Sequence, residues 1–342
     1  MSMTSSLHAS EGRTALRPFN YVRASNPNAA ARTVAGNPRA KFLAGGTNLV
    51  DLMKEDIERP NELVDLTRLQ LKEIRPLRGG VSIGALATNS ETANHPLIRN
   101  NYPMLTQAIV AGASAQLRNM ATNGGNLLQR TRCYYFYDIQ MPCNKREPGT
   151  GCGAREGLNR IHAIFGWSDS CVATYPGDMA NALYALDAIV RIRRADGSER
   201  TIPVVDFHRL PGDTPQKDTN LEHGELITAI ELPKSNFAKS SYYLKVRDRA
   251  SYAFALVSVA AALELDGDRI RNARVVIGSV AHKPWRSAEA EAALVGQRAN
   301  EASFREAAAA AFADAKPLEH NRYKVDLGIR TVTRALMKAG GL

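Results

Sequence analysis

The chain has 342 residues, 44% of them apolar and 23% charged, the composition of a globular protein with more than one core. No stretch of 18 consecutive apolar residues occurs, so a membrane-spanning helix and membrane insertion are not expected. The net charge of +10 is spread along the chain without a basic run, and no RNA-binding or helix-turn-helix pattern accompanies it; it points to a solvated surface or an acidic partner rather than to nucleic acid.

Residues 1–16 read as a disordered arm, and the polar, irregular opening up to Asn26 has neither an apolar core segment nor paired arginines, so no export signal of its own is expected. Regular structure is expected from Arg39. Lys41–Ala44 has the look of a short buried strand; Gly45-Gly46-Thr47 follows, and Asn48–Lys54 begins a helix. Val64–Leu66, Glu73–Arg75 and Val81–Gly84 read as short strands between turns, and Ser90–His95 and Met104–Gly112 as helices. A second glycine loop spans Ala121–Asn126. From Gln129 to about Tyr175 the chain is rich in Gly, Arg, Cys and aromatics and shows neither helical nor strand periodicity. So long a structureless stretch inside a compact domain needs something to order it, and a metal centre would do so.

Beyond it, Met179–Leu186 reads as a helix, and Ala188–Arg193 and Glu199–Pro203 as a hairpin turning at Asp196-Gly197. Leu226–Leu232 is a further strand and 233–239 a linker. The last hundred residues form their own unit: strands at Tyr242–Val246, Ala255–Leu265 and Ile270–Ser279, then alanine-rich helices at Ser287–Leu294, Glu301–Ala315 and Tyr323–Ala339. There is no internal repeat, and the fold class is α+β.

Two features carry chemistry. The segment Phe42-Leu43-Ala44-Gly45-Gly46-Thr47-Asn48-Leu49-Val50 joins a strand to a helix, where glycines let backbone approach a ligand and unpaired amides face outward, as a pyrophosphate requires. Its spacing is neither that of a Rossmann fingerprint nor that of a P-loop. The second loop, Thr122-Asn123-Gly124-Gly125-Asn126, repeats the chemistry, and two such loops can grip one long diphosphate. Either alone is also an ordinary structural turn.

The other feature is cysteine placement. Cys133, Cys143, Cys152 and Cys171 are all the cysteines of the chain and lie within 39 residues. Two disulfides, a zinc site, an iron–sulfur cluster and unlinked thiols all remain open from spacing alone; the lack of Cys-x-x-Cys knuckles counts against zinc. Between Arg130 and Arg160 six basic residues accompany only three acids, a surround that suits an anionic cluster or simply a solvated loop.

Together these residues resemble the FAD-binding subunits of the xanthine dehydrogenase and aldehyde oxidoreductase family of molybdenum hydroxylases, from about Arg17 to the C-terminus. Phe42–Val50 matches the family's flavin motif and Thr122–Asn126 its Thr-x-Gly-Gly-Asn motif, including Thr122, Gly124, Gly125 and Asn126. Pro176-Gly177-Asp178 matches a point where an aspartate touches the flavin nucleotide. Glu225–Pro233 resembles the strand that closes the flavin domain, which makes Ile227 a packing contact, and Leu244–Arg247 the start of the C-terminal domain, where Lys245 approaches the flavin. Tyr252 is a candidate cover for the isoalloxazine.

The resemblance implies a fold: an FAD-binding domain of the p-cresol methylhydroxylase type at 17–235, with subdomains 17–85 and 86–235, then a C-terminal α+β domain of the CO dehydrogenase flavoprotein type at 240–342. Most members run almost directly from the second glycine loop to the aspartate. Here the insert 129–175 intervenes and holds all four cysteines, as in the periplasmic aldehyde oxidoreductase branch, where it carries a 4Fe-4S cluster. The implied protein is an electron-transfer subunit with FAD and a 4Fe-4S cluster and no catalytic residue for substrate oxidation. Its partners would be a molybdenum-cofactor large subunit and a 2Fe-2S small subunit, with an external electron acceptor. It would reside in the cytoplasm, or in the periplasm by co-export with a partner. An assembly subunit without flavin and a stand-alone flavin dehydrogenase are the rival readings.

Overall fold

The computed structural model describes residues 16–342, so the expected arm lies, Leu16 apart, outside the described residues. The first layer is a three-stranded parallel sheet in the order Asn20–Arg23, Glu62–Asp65, Ala40–Leu43. Its inner residues, Ala40 and Val64 among them, pack beneath the helix Pro27–Ala35 with Ala30 and Val34. That helix starts where Asn26 accepts the Ala29 amide and Pro27 supplies the first helical position.

A five-stranded antiparallel sheet follows, ordered Ile74–Leu77, Gly80–Gly84, Leu226–Pro233, Ile189–Arg193, Glu199–Pro203. Its central strand, Leu226–Pro233, returns from far along the chain, so the sheet encloses everything between. Helices Asn89–Asn94, Pro103–Ala111 and Asp178–Ala185 share the main core with it. The helix Asp178–Ala185 is buried at every position, central to that core.

The third sheet is antiparallel, Trp285–Arg286, Arg269–Gly278, Val257–Asp266, Ser241–Val246. It is backed by helices Ala288–Leu294, Glu301–Ala311 and Tyr323–Ala339 around Phe304, Val332 and Leu336. Tyr243, Ala260 and Val276 of this sheet join the main core, so the two halves pack together without a solvent gap at those positions.

Differences from expectation have local causes. The strand expected at Glu73–Arg75 forms at Ile74–Leu77 because it pairs across a two-residue turn with Gly80–Gly84. Strand Asn20–Arg23 is exposed along its whole length, so no apolar alternation announces it. The stretch 129–175 contains two one-turn helices, Tyr134–Tyr137 and Gly153–Glu156, too short to leave a period. Ser287 is not a helical residue but the cap, accepting the Ala290 amide.

Candidate functional site: a dinucleotide cavity beside a ring of cysteines

The two glycine loops meet because glycine lets them. A β-carbon on Gly45 would stand 1.8 Å from the carbonyl oxygen of Met120, just ahead of the second loop. Gly46 adopts φ +73, the left-handed region glycine tolerates best. Thr122 caps the short helix Asn123–Leu127 by accepting the Gly125 amide. The second loop is then locked from below: Asn89 Nδ2 donates to Asn123 Oδ1, Asn123 Nδ2 to Thr92, and Asn126 Nδ2 to Asn89 Oδ1.

The loops line one cavity of about 880 Å³ with Phe42, Ala44, Gly45, Gly46, Thr47, Asn48, Leu49, Thr122, Gly124, Gly125 and Ile227 on its walls. That volume lies near the upper end of the range for small-molecule and cofactor sites. Asn48 belongs to this wall, and its side-chain oxygen accepts the Arg130 amide while its Nδ2 is buried without a partner. That Nδ2 is closed off from solvent, so the residue's contribution to the wall is its place beside Gly46 and Thr47 rather than a free side-chain donor. The helix after the first loop, Leu49–Lys54, has only six residues, so loop amides rather than a long helix dipole are what the wall offers an anion.

Other residues of the expected set stand behind the wall. Leu43 and Val50 back Gly46, and Asn126 is taken up in the asparagine network. Asp178 and Lys245 do not line the cavity; they meet each other. Lys245 Nζ donates to Asp178 Oδ2 at 2.7 Å and Tyr243 Oη to Asp178 Oδ1 at 2.6 Å, both acceptor and donors nearly fully buried. This cluster joins the first residue of helix Asp178–Ala185 to strand Ser241–Val246, and so pins the two halves together. Tyr252 stands exposed, with φ +49, and Arg249 binds its carbonyl.

The cavity's far wall was not foreseen: Glu58, Arg130, His208 and the loop 216–223. Arg130 Nε donates to Asp218 Oδ2 at 2.8 Å and its Nη1 to Glu58 Oε1 at 2.7 Å. Burial alone would raise the Asp218 carboxyl; Lys145 and Arg130 reverse this and hold it well below the usual carboxylate range. Only Arg130 stood close enough to the second loop to be suspected from sequence.

All four cysteines line a second, much smaller void, together with Tyr135, Phe136, Lys145 and Ala154. Cys133, Cys143 and Cys171 are buried, Cys152 half-buried, and none is paired with another. A backbone bridge sets Cys143 opposite Cys152, and Ser168 stands opposite Cys171. Burial pushes the thiols of Cys133 and Cys171 up to about 12. His162 Nε2 lies 3.1 Å from Cys133 Sγ, and burial, then Lys324, push that imidazole down to about 4. Lys324, from the C-terminal helix, is itself buried and donates to the carbonyls of Ile161, His162 and Ser279. Among the described residues no three His, Cys, Asp or Glu side chains are spaced to hold a metal ion as they stand.

Two glycine loops that line one large cavity give the class of a protein able to hold a long phosphate-bearing ligand. Residues 17–235 match the family described as the FAD binding domain in molybdopterin dehydrogenase, and residues 242–339 the CO dehydrogenase flavoprotein C-terminal domain. The chain belongs to that family of FAD-binding oxidoreductase subunits. It is 48% identical over 326 residues to the aldehyde oxidoreductase FAD-binding subunit PaoB of Escherichia coli (strain K12), covering 95% of this chain and 99% of that one. The glyceraldehyde dehydrogenase medium chain of Sulfolobus acidocaldarius is 29% identical, with 83% of each chain covered. Quinoline 2-oxidoreductase from Pseudomonas putida 86 shares the fold with TM-score 0.75 at 23% identity, covering 96% of this chain and 98% of that one. Carbon monoxide dehydrogenase from Hydrogenophaga pseudoflava does so at 0.75 and 24%, with 96% and 99% covered. No helix among the described residues is long and apolar enough to cross a membrane.

Proposed function

We propose that this chain is the electron-transfer subunit of a heterotrimeric molybdenum-dependent oxidoreductase acting on aldehydes or related heterocycles, and that it holds FAD and a 4Fe-4S cluster. Within it, 17–235 is the FAD-binding domain with subdomains 17–85 and 86–235, 129–175 the iron–sulfur insert, and 240–342 the C-terminal domain. The observation that carries the reading is the convergence of both glycine loops on one cavity.

FAD would supply the redox chemistry of an electron-transfer subunit set between partner clusters and an external acceptor. The chain's own residues bind and orient it. Gly45, Gly46, Thr47 and Asn48 would hold the pyrophosphate, Thr122, Gly124 and Gly125 would fix it from the second loop, and Ile227 would pack against the nucleotide. Asp178, Lys245 and Tyr243, which stand behind the cavity, would hold the C-terminal domain against the flavin domain rather than touch the nucleotide, and no acid–base residue for substrate oxidation is assigned.

The cluster reading rests on a ring of four unpaired cysteines about one void with Lys145 in its wall. A cluster's thiolates are held apart by its own core, whereas those of a tetrahedral zinc crowd around one ion. Four unpaired cysteines about one void supply the four thiolates a cluster needs, and four separate sulfurs argue against paired disulfides. The aldehyde assignment and the partner subunits rest on the similarity to the Escherichia coli subunit. The compartment proposed is the cytoplasm, or the periplasm reached with a partner.

An absorption spectrum with iron and sulfide assay of the purified complex tests this. Flavin bands with about four irons per chain are expected. A colourless chain would favour the assembly-subunit rival, and substrate turnover by the isolated chain the stand-alone dehydrogenase.

A further inference from the structure

The dinucleotide cavity and the cysteine void share a wall, and the wall is a chain of charges. Lys145 lines the void two residues after Cys143, and it is 2% exposed. Its ammonium donates to the Pro215 carbonyl at 2.7 Å and to Asp218 Oδ1 at 2.5 Å. Asp218 lines the other cavity and is bound by Arg130, which is bound by Glu58, which pairs with Lys41 at 3.3 Å. Signs alternate along the whole run. The Arg130 amide is also what anchors Asn48 of the first glycine loop.

Each link in such a network depends on its neighbours, because a buried charge that loses a partner costs several kcal/mol unless the structure shifts to rehydrate it. Lys145 is therefore the strut that sets the loop 215–223 and, through Asp218 and Arg130, the first glycine loop. Its own position is set by the turn between Cys143 and Cys152, where the Asn144 amide donates to the Gly151 carbonyl. The turn is braced within itself, the Cys143 amide donating to Thr150 and Asn144 accepting the Gly149 and Gly151 amides, and both its ends are cysteines of the ring, so loading the ring acts on it as a unit. We infer that the Lys145–Asp218–Arg130 run couples the two cofactor sites, so that FAD is held tightly only while the cysteine ring is loaded; this rests on the cofactor reading above. By linkage the converse holds, and bound FAD raises the affinity of the cysteine ring for its cluster.

The test measures FAD release from the purified complex by recovery of free-flavin fluorescence on dilution, with iron counted in the same samples. The native complex must first show flavin and iron; absence of either would remove the cofactor reading itself, and this inference with it. Two independent perturbations follow: cluster destruction in the native complex by ferricyanide and EDTA, and the variant Lys145→Met, its folding checked by circular dichroism. Each is expected to speed FAD release about tenfold or more, within the usual range for coupled sites, with Lys145→Arg restoring most of the loss. Release unchanged within about twofold after cluster destruction would overturn the coupling. Faster release after cluster destruction but not in Lys145→Met would overturn the strut assigned here. If Lys145→Met does not fold, the native complex decides alone, since its folded state is given.

Discussion

The two sites are built in opposite ways. The dinucleotide cavity is large and open, and its shape comes from backbone: Gly45 sits against Met120, Gly46 bends left-handed, and an asparagine network fixes the second loop from beneath. The cysteine void is small and walled by side chains on irregular chain, steadied at its borders by Lys145 and Lys324, which reach into other parts of the fold. A site made of close backbone approach stays in shape without its ligand, whereas a site made of buried thiols is strained without it. Four deprotonated sulfurs are what a cluster requires, and burial keeps at least Cys133 and Cys171 protonated when it is missing.

The largest break between the two should come from a cysteine. Replacing Cys171 with Ala removes one of four thiolates from a buried site, and iron is expected to fall from about four per chain to near zero. Substituting Thr122 with Ala, at the other site, removes one neutral cap worth about 1 kcal/mol and should leave iron unchanged. Equal iron in the two variants, measured colorimetrically, would mean that the cysteines hold none.

Next in size is Gly45→Ala. The added carbon would overlap a backbone oxygen, and no side chain can yield to accommodate it. The loops must part, at a cost of more than about 3 kcal/mol by the measure of overpacked cores, and bound flavin should be lost. Gly46→Ala, in a left-handed position with Val50 close by, should cost about 1–2 kcal/mol and leave flavin bound. If the two substitutions behaved alike in a urea melt, close approach would not be what shapes the cavity.

The contrast also explains what the sequence discloses. Gly45-Gly46-Thr47-Asn48 and Thr122–Asn126 are readable because a backbone device needs particular residues side by side. The opposite wall is not: Asp218 meets Arg130 across 88 residues and Lys145 across 73, and nothing local marks an aspartate in an irregular loop as their partner. The grouping of the cysteines is legible, but Lys324, which steadies His162 across 162 residues, is not. Helix Pro27–Ala35 is a different case, since Asn26-Pro27 is a start signal that periodicity from Arg39 onward overlooks. Asp178 and Lys245 are legible as residues, whereas their pairing with each other is a tertiary fact.

A pH series on metal-depleted protein should separate the sites again. His208 and His282 border the dinucleotide cavity or its wall and are pushed down to about 4 by burial, Lys145 adding to this at His282 and outweighing Asp218 there. Unfolded histidine titrates near about 6.5, so below that pH the unfolded chain takes up protons the folded one refuses. Stability is then full above about pH 6.5 and declines as pH falls toward 4, by up to about 3 kcal/mol per histidine. The thiols act at the other end. Cys133 and Cys171 hold their protons up to about 12 in the folded chain but lose them near about 8.5 when unfolded, so stability declines as pH rises through that window. Loading the cluster removes the alkaline arm, because the thiolates are then ligated, and leaves in place the acid arm of His208 and His282; His162, pushed down to about 4 beside Cys133, adds to the acid arm from the cysteine side. Thermal melts with and without iron that kept both arms would place the metal elsewhere.

The smallest effect concerns a single hydrogen bond. His162 is neutral, buried and 3.1 Å from Cys133 through Nε2, while its Nδ1 has no partner. A neutral imidazole carries one proton. Placing it on Nε2 gives the sulfur a donor; placing it on Nδ1 turns that N–H toward the Asn159 backbone and gives the sulfur none. A donor to a ligating sulfur favours the more reduced cluster, because it steadies the added negative charge. Removing it with His162→Leu should lower the cluster's potential. A net hydrogen bond of about 1 kcal/mol corresponds to roughly 40 mV for a one-electron couple, measurable in an EPR-monitored titration with iron content unchanged. Gln, which restores an N–H near the sulfur, should recover part of the shift. A potential that rose in His162→Leu would mean the proton sits on Nδ1 and Nε2 turns its lone pair to the sulfur.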